Sequence, residues 1–373
     1  MLFLVGLHSK WRDVSSFGYI LDGAIGAIRT LARGRGLWYS IARLRRRPSR
    51  PEFTPRVTAE EPYGSVNAAR TVAARPDGAQ MATGENSMAA RTATTQTSEI
   101  RIAHSPDSDD AFMFYALATG KLRVPGLKFT HVLSDIESLN QAAQSEKYDV
   151  TAVSVYAYPF LADKYILLDC GASFGEGYGP VVVSHHAMKK TELKGRKIAI
   201  PGTRTTSYLA LKLFEPGVET VTIPFDKILD AVTSKEVEAG LLIHEGQLLY
   251  AQAGLHRVVD LGVWWQEQTS LPLPLGANAI RRALGTDLAR QVAGAIRGSV
   301  AYALDHREEA LNYALQFARD MDPALADKFV GMYVNRWTLN FGEEGRKAVN
   351  ELVSRGISAG LLPPSARVDF LSE

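Results

Sequence analysis

An internal repeat constrains the fold of this chain more than any other feature of its sequence. Residues 101–115 match residues 197–211 in kind and without a gap, at a separation of 96 positions. Each segment starts as a short apolar strand, continues as a turn rich in Pro, Gly, Ser, Thr or Asp, and ends as an apolar helix. A strand, a helix and a further strand follow both copies. This alternation predicts an α/β protein with parallel strands in two similar lobes.

The repeat also predicts where a ligand binds, because parallel βα units hold ligands beyond the carboxyl ends of their strands. In the first copy these ends are the turn at Asp110 and the strand terminus at Ser154, and in the second they are Thr206 and His244. If the lobes face each other, these residues lie opposite one another across an inter-lobe cleft. The elements predicted around them are strands over 127–133, 148–154, 219–223 and 238–243, and helices over 136–145, 226–234, 288–304, 308–318, 323–333 and 343–354.

The chain divides into an N-terminal extension and a folded region. Residues 1–98 contain 14 Lys/Arg against 7 Asp/Glu, and residues 48–98 contain only 2 aromatic side chains. Such a composition buries too little apolar surface to fold, which predicts a basic, disordered extension. A translation start at Met81 or Met88 would leave most of it out of the protein. Glycine-rich crossings then divide the folded region into lobe 1, over 99–180 and 278–373, and lobe 2, over 181–277.

The composition of the folded region argues against several classes of function. Residues 99–373 contain 28 Lys/Arg and 33 Asp/Glu, so they do not suggest the basic surface of a nucleic-acid-binding protein. No run of about 18 apolar residues indicates a membrane span, and the apolar run over 2–7 is too short for a secretory signal. The single cysteine, Cys170, excludes a disulfide framework and fits a reducing compartment. We therefore expect a cytoplasmic protein with a small-molecule partner.

His244 is the sharpest candidate for catalysis, because it ends an apolar strand and is followed by Glu245. An imidazole is the usual general base near neutral pH, and a neighbouring carboxylate can fix its tautomer. The alternative is a hydrogen-bonded histidine at a strand end, to which we give about even odds. No second histidine or acid stands at metal-ligand spacing, and no dinucleotide, P-loop or nucleophile-elbow motif is present. We therefore expect neither a metal nor a cofactor.

Hydroxyl and carboxylate side chains mark both turns of the repeat. Thr206 and Ser207 open a predicted helix, whose unpaired N–H groups and dipole favour an anion such as a substrate carboxylate. Simple helix capping would use the same geometry. Asp110 could bind substrate hydroxyls, take part in proton transfer or cap its helix. Ser105, which begins that turn, and Trp265 are secondary candidates, and for Trp265 packing in the core is the commoner alternative by about two to one.

Six segments carry a resemblance to one known family. Two of them, Val259-Asp-Leu-Gly-x-Trp-Trp-x-Glu-x-Thr269 and Leu271-Pro-Leu-Pro-Leu-Gly276, are specific to one branch of it. The others span residues 105–117, 177–183, 200–208 and 236–245. On these segments the region 99–373 resembles the 1,4-dihydroxy-6-naphthoate synthases of menaquinone biosynthesis (the futalosine pathway), a sister group of chorismate dehydratase.

The resemblance implies a two-lobed, type 2 periplasmic-binding-protein fold in a cytoplasmic, cofactor-independent lyase. Such an enzyme cleaves cyclic de-hypoxanthine futalosine to 1,4-dihydroxy-6-naphthoate. The implied pocket contains Asp110, Ser154, Thr206 and Ser207, with His244 as the base. The family usually has a Cys-Pro-Asn-Asp type of turn where this chain has Asp107-Ser-Asp-Asp110, which alters the charge beside the substrate. The alternatives are a chorismate dehydratase-like enzyme and a non-catalytic receptor for small carboxylates.

Overall fold

Two β-sheets organise the part of the chain that the computed structural model describes, residues 97–319 and 321–371. The predicted disordered extension, residues 1–98, lies outside the described residues except at its last two positions. The strands are β1 (Ser98–His104), β2 (Leu127–Leu133), β3 (Val150–Ser154), β4 (Tyr165–Leu167), β5 (Ser173–Gly175), β6 (Val181–Ser184), β7 (Lys197–Ile200), β8 (Glu219–Thr222), β9 (Ala239–Leu242), β10 (His256–Asp260) and β11 (Leu273–Arg281).

The α-helices alternate with the strands in the first two-thirds of this region and follow one another in the last third. They are α1 (Ser108–Ala118), α2 (Ile136–Ala143), α3 (Thr206–Phe214), α4 (Phe225–Thr233), α5 (Gly246–Leu249), α6 (Leu261–Thr269), α7 (Thr286–Asp305), α8 (Arg307–Ala314), α9 (Pro323–Tyr333), α10 (Arg336–Leu339) and α11 (Gly342–Ser358). None of the helices in the described residues is long and apolar enough to cross a membrane.

Both copies of the repeat have the same topology. In the first sheet β1 lies between β2 and β3, and in the second sheet β7 lies between β8 and β9, with all of these pairs parallel. Antiparallel strands complete each sheet: β11 pairs with β3, β4 and β5, and β6 pairs with β9 and β10. The repeat was readable because each βα unit is encoded by local apolar periodicity and turn residues.

The helix α1 explains why the first turn of the repeat is held firmly. Ten of its 11 residues are buried, which fits a helix that is apolar on every side and packed within the core. Phe112 and Phe114 belong to the same apolar cluster as Ile296 and Val300 of α7. The N-terminal turn of α1 is therefore fixed between the first sheet and the C-terminal helices.

The chain passes from the first sheet to the second between β5 and β6, and it returns through α6 into β11. Residues predicted as hinge glycines lie in the first passage, where Gly177 has φ +78°. β11 starts at Leu273 and already belongs to the first sheet. The division into lobes 99–180 plus 278–373 and 181–277 stays a prediction.

Candidate active site

A cavity of about 740 Å³, measured to its open mouth, lies at the carboxyl ends of the parallel strands of both sheets. The four positions that the repeat predicts, Asp110, Ser154, Thr206 and His244, all line it. Ser105 and Ser207, which the sequence also singled out, line it too, together with Asp109 and Thr205. The structure therefore brings residues from both repeat copies to one space.

The aspartates of the first turn do not cap α1 with their side chains. Asp107 occupies the N-cap position but accepts no capping hydrogen bond. Its Oδ2 instead accepts from the Ser105 hydroxyl and lies 3.1 Å from His244 Nδ1, while its Oδ1 lies 3.3 Å from Arg319 Nη1. Asp110 Oδ2 accepts from the backbone N–H of Ser105 at 2.7 Å. The carboxylates of Asp107 and Asp110 therefore bond to Ser105 within the turn, and Asp107 also contacts His244 at the cavity.

His244 sits just after β9 with φ +51°, a left-handed conformation that non-glycine residues rarely adopt. Its carbonyl accepts from the Gln247 backbone N–H at 3.2 Å. The Gln247 amide satisfies its partners when its oxygen accepts from the His244 N–H and its nitrogen faces the Gly179 carbonyl. The Phe225 ring packs edge-on against the imidazole, with centroids 5.1 Å apart. Strained backbone that is fixed on several sides is typical of a functional position.

Two of the secondary predictions need correction. Glu245 was expected to orient the imidazole, but it is Asp107 that lies beside Nδ1, while Glu245 Oε1 lies 3.5 Å from Arg319 Nη1. Burial raises the pKa of Glu245. Trp265 does not line the cavity: its side chain is fully buried, and its indole N–H donates to the Pro272 carbonyl at 3.1 Å. Trp265 therefore packs in the core, as the alternative above stated, because α6 turns the Trp265 side chain toward β11.

Burial raises the pKa values of two carboxyl groups in the first turn of the repeat. Desolvation raises the pKa of Asp109 to about 6, and the charge of Asp107 adds to the rise. Desolvation also raises the pKa of Asp110 well above its usual value, with Asp109 and Asp107 adding to it. Near neutral pH at least one of these carboxyl groups can therefore carry a proton within the cavity wall.

The same residues include a grouping that sequence spacing did not indicate. Asp107, Asp109 and His244 each place one potential ligand atom within 4.8 Å of the others, a distance that would suit a metal ion. The guanidinium of Arg319 lies against Asp107, however, and its positive charge opposes a cation at this position.

Asp109→Asn is expected to stabilise the protein at alkaline pH and to change little at pH 4. The folded Asp109 carboxyl has a pKa of about 6, against an ordinary value of 3.8. As pH rises between these values, the unfolded chain loses its proton while the folded protein keeps it, so the free energy of unfolding falls. Above pH 6 this loss in the free energy of unfolding reaches its full size. A pKa shift of this size corresponds to a loss of at most about 3 kcal/mol.

Urea unfolding at pH 4, 6 and 8 measures this effect. Asp322→Asn is the matched control, because Asp322 is an exposed N-cap and Asn caps equally well. A gain in the Asp109 variant that is equal at pH 4 and pH 8 would show that the carboxyl is not desolvated in the folded protein.

The N-terminus of α3 forms the opposite wall of the cavity. Thr205 is its N-cap, and the Thr205 hydroxyl accepts from the Tyr208 N–H at 3.2 Å. The Thr206 hydroxyl donates to the Leu275 carbonyl at 2.7 Å and accepts from the Tyr156 N–H at 3.2 Å. Both hydrogen bonds of the Thr206 hydroxyl therefore connect α3 to residues of the first sheet and its adjoining loop. The backbone N–H groups of Thr206 and Ser207 belong to the first turn of α3, where N–H groups have no carbonyl partner inside the helix.

Several cavity residues had no signal in the sequence reasoning. Ser173 Oγ donates to Asp109 Oδ2 at 3.4 Å, and Tyr333 contacts Gln247 from the far C-terminal region. Asn278 is buried in the wall, and its Oδ1 has no hydrogen-bond partner among the described residues. Asn140 holds Ser154 by two hydrogen bonds, to its backbone N–H and its Oγ. These residues come together only in the folded protein, so the sequence alone could not have identified them.

Known sequences resemble most of the described region. A family model described as menaquinone biosynthesis matches residues 100–357. A 1,4-dihydroxy-6-naphtoate synthase of Thermus thermophilus is 42% identical over 272 residues, which cover 73% of this chain and 99% of that enzyme. The synthase of the same name from Streptomyces coelicolor is 40% identical over 271 residues, which cover 71% of this chain and 95% of that enzyme.

Solved structures resemble the same region. A crystal structure of a protein from Archaeoglobus fulgidus is 48% identical with a TM-score of 0.68, and the match covers 71% of this chain and 98% of that protein. The alkanesulfonate-binding protein SsuA from Xanthomonas axonopodis pv. citri has a TM-score of 0.58 at 14% identity, covering 73% of this chain and 97% of that one. The second likeness concerns the fold alone. Together they confirm the predicted periplasmic-binding-protein-like fold.

Proposed function

Because this chain belongs to the menaquinone-biosynthesis family, we propose that it is a 1,4-dihydroxy-6-naphthoate synthase, a lyase that cleaves cyclic de-hypoxanthine futalosine. The observation that carries the proposal is the 42% identity to a relative of that name over 99% of its length. The biosynthetic role of such relatives also supports a cytoplasmic location. The cavity offers the groups this reaction needs: an anion-binding wall, a histidine and buried carboxyl groups.

The wall at α3 suits the carboxylate of the substrate ring. The backbone N–H groups of Thr206 and Ser207 point out of the first helical turn, where the helix dipole adds a partial positive charge. The Thr206 hydroxyl, which joins Leu275 to Tyr156, keeps that turn in place. We therefore assign recognition of the carboxylate to the backbone of this turn, and the role of the Thr206 side chain to holding it.

Polar groups on the first sheet suit the hydroxyls derived from the sugar. Ser154 Oγ accepts from Asn140 Nδ2 at 3.0 Å, which leaves its own hydrogen available to a ligand. Asn278 Oδ1 is an acceptor without a partner among the described residues. The carboxyl group of Asp110, whose pKa burial raises well above its usual value, adds a donor at the same wall.

His244 lies between these two walls and is the base in this proposal. Proton abstraction next to a substrate carbonyl gives an enolate, and collapse of the enolate expels the remainder of the sugar. Formation of the aromatic ring makes this fragmentation favourable. The carboxyl group of Asp110, whose pKa burial raises well above its usual value, lines the same cavity and can donate to the developing negative charge, as a neutral acid does in an oxyanion hole. Closure of the cavity by both lobes limits the access of water to the intermediate.

Incubation of the purified protein with cyclic de-hypoxanthine futalosine tests the proposal, with 1,4-dihydroxy-6-naphthoate followed by mass spectrometry. Formation of naphthoate at a rate proportional to enzyme supports it. Tight binding without product would favour the non-catalytic receptor for small carboxylates. Turnover of chorismate instead would assign the chain to the sister activity.

The carboxylate assignment predicts a specific loss of affinity. A substrate or product analogue whose carboxylate is replaced by a primary amide is expected to bind about 10- to 100-fold more weakly, because a hydrogen bond to a charged group contributes roughly 1.5–3 kcal/mol. Isothermal titration calorimetry of both compounds measures the difference. The methyl ether of a ring hydroxyl is the matched control for a change elsewhere on the ligand. Equal affinity for acid and amide would place the carboxylate away from α3.

A further inference from the structure

We propose that Asp107 is a positioning residue for His244. Its carboxylate holds the imidazole proton on Nδ1, which leaves Nε2 unprotonated as the base toward the cavity, and it balances the charge of the imidazolium that forms. This inference rests on the base role proposed for His244. It assigns a function to a residue that sequence reasoning noted only as part of the departure from the family's usual turn.

The first support is the contact itself. Asp107 Oδ2 lies 3.1 Å from His244 Nδ1, within the range of a charge-assisted hydrogen bond. Asp107 comes from the first copy of the repeat and His244 from the second, so the contact joins the two sheets. The Asp107 side chain is only 2% exposed. Water therefore competes little for this carboxylate.

The second support is that both oxygens of Asp107 are held. The Ser105 hydroxyl donates to Oδ2, the oxygen that faces the imidazole. Arg319 Nη1 lies 3.3 Å from Oδ1 on the other side. Its guanidinium also stacks over the Phe225 ring at 5.0 Å, and that ring packs against His244. An orienting carboxylate needs such support, because a loosely held acid would not fix the direction of the ring.

The third support is that other charged groups near His244 are placed differently. Glu245 is turned toward Arg319, at 3.5 Å, and Asp109 accepts from Ser173. Asp107, Asp109, Glu245 and Arg319 are the charged groups from the surrounding elements that the described part of the chain brings to His244. Of the three acids, Asp107 is the one in contact with a ring nitrogen. The unusual backbone of His244 serves to bring Nδ1 to it.

The variant Asp107→Asn tests the inference. The Asn amide can donate to Nδ1 and thereby select the tautomer with the proton on Nε2, which removes the base from the cavity while the shape is kept. Turnover is expected to fall by about 10² or more with KM changed less than threefold, as follows when a wrong tautomer is imposed on a general base. Asp107→Glu should restore part of the rate, because the carboxylate is retained.

Nitrogen-15 NMR of histidine-labelled protein measures the tautomer without reference to activity. The His244 signals are assigned by their absence in His244→Asn. The wild-type protein at pH 8 is expected to carry the proton on Nδ1, and Asp107→Asn to carry it on Nε2. Asp322→Asn, the same change at an exposed N-cap outside the cavity, should leave both the tautomer and the turnover unchanged.

These measurements separate the inference from the proposed function. A wild-type ring protonated on Nε2, or an Asp107→Asn enzyme with wild-type turnover and an unchanged tautomer, would overturn the role of Asp107. A tautomer that switches while turnover stays at the wild-type rate would support the contact and count against His244 as the base. The wild-type spectrum decides the first point even if the variant fails to fold.

Discussion

Replacing His244 with Asn is expected to lower turnover of cyclic de-hypoxanthine futalosine by about 10²–10⁴, or roughly 3–5 kcal/mol of barrier, because general-base catalysis contributes about this much. Substrate affinity should change little, since the backbone donors of α3 lie on the opposite wall and do not touch the imidazole. Steady-state kinetics gives turnover, and calorimetry with the product gives affinity.

A matched control for this variant is His185→Asn. His185 follows β6 and does not line the cavity, so its loss should leave kinetics within twofold of wild type. A His244→Asn enzyme that keeps more than about a tenth of its activity would refute the assignment. The base would then be sought among the carboxylates of the first turn, with Asp110 first, because the repeat places it in the same cavity.

Gly262→Ala is expected to destabilise the fold more than any other small substitution considered. A Cβ at Gly262 would lie 1.9 Å from the Tyr178 carbonyl oxygen and 2.5 Å from the Gly179 nitrogen. This backbone cannot shift easily, because the adjacent Leu261 N–H donates to the Pro180 carbonyl at 2.9 Å. The passage between the sheets would have to move away from α6. We expect a loss of at least about 3 kcal/mol in the free energy of unfolding.

Thermal and urea unfolding measure this loss, which corresponds to a melting temperature roughly 6 °C lower or more for a region of this size. Gly294→Ala is the matched control, because Gly294 lies within α7 with no atom within 4 Å of the added Cβ. It should stabilise the protein by about 0.5–1 kcal/mol through helix propensity. Equal stability of the two variants would mean that the 178–180 passage is not packed against α6.

The sequence was sufficient for the elements that depend on nearby residues. The helix predicted over 323–333 and the strand predicted over 127–133 have the bounds that the structure shows, and the other predicted elements differ by a few residues at their ends. Apolar periodicity, caps and turn residues are properties of short segments, so they can be read without the tertiary structure. The repeat also predicted the topology, because two similar sequence patterns fold into sheets with the same strand order.

The same local reasoning failed where neighbours in sequence diverge in space. Glu245 follows His244 directly, yet the left-handed turn at His244 sends its carboxylate toward Arg319. Trp265, a secondary candidate for the site, lies in the core, which is the alternative that the sequence reasoning favoured. Asp107 stands at the N-cap position of α1, yet its side chain contacts Ser105, His244 and Arg319 instead of capping the helix.

The sequence by itself determined the α/β class, the repeated βα topology and the four strand-end positions Asp110, Ser154, Thr206 and His244. Each follows from the patterns of short segments and from their recurrence 96 positions later. Only the tertiary structure decided which carboxylate meets the imidazole and which side chains complete the cavity. Arg319 is 212 positions from Asp107, and no local pattern relates residues so far apart. Their contact exists because α1 is buried between the first sheet and the C-terminal helices, and packing of that kind depends on the whole core.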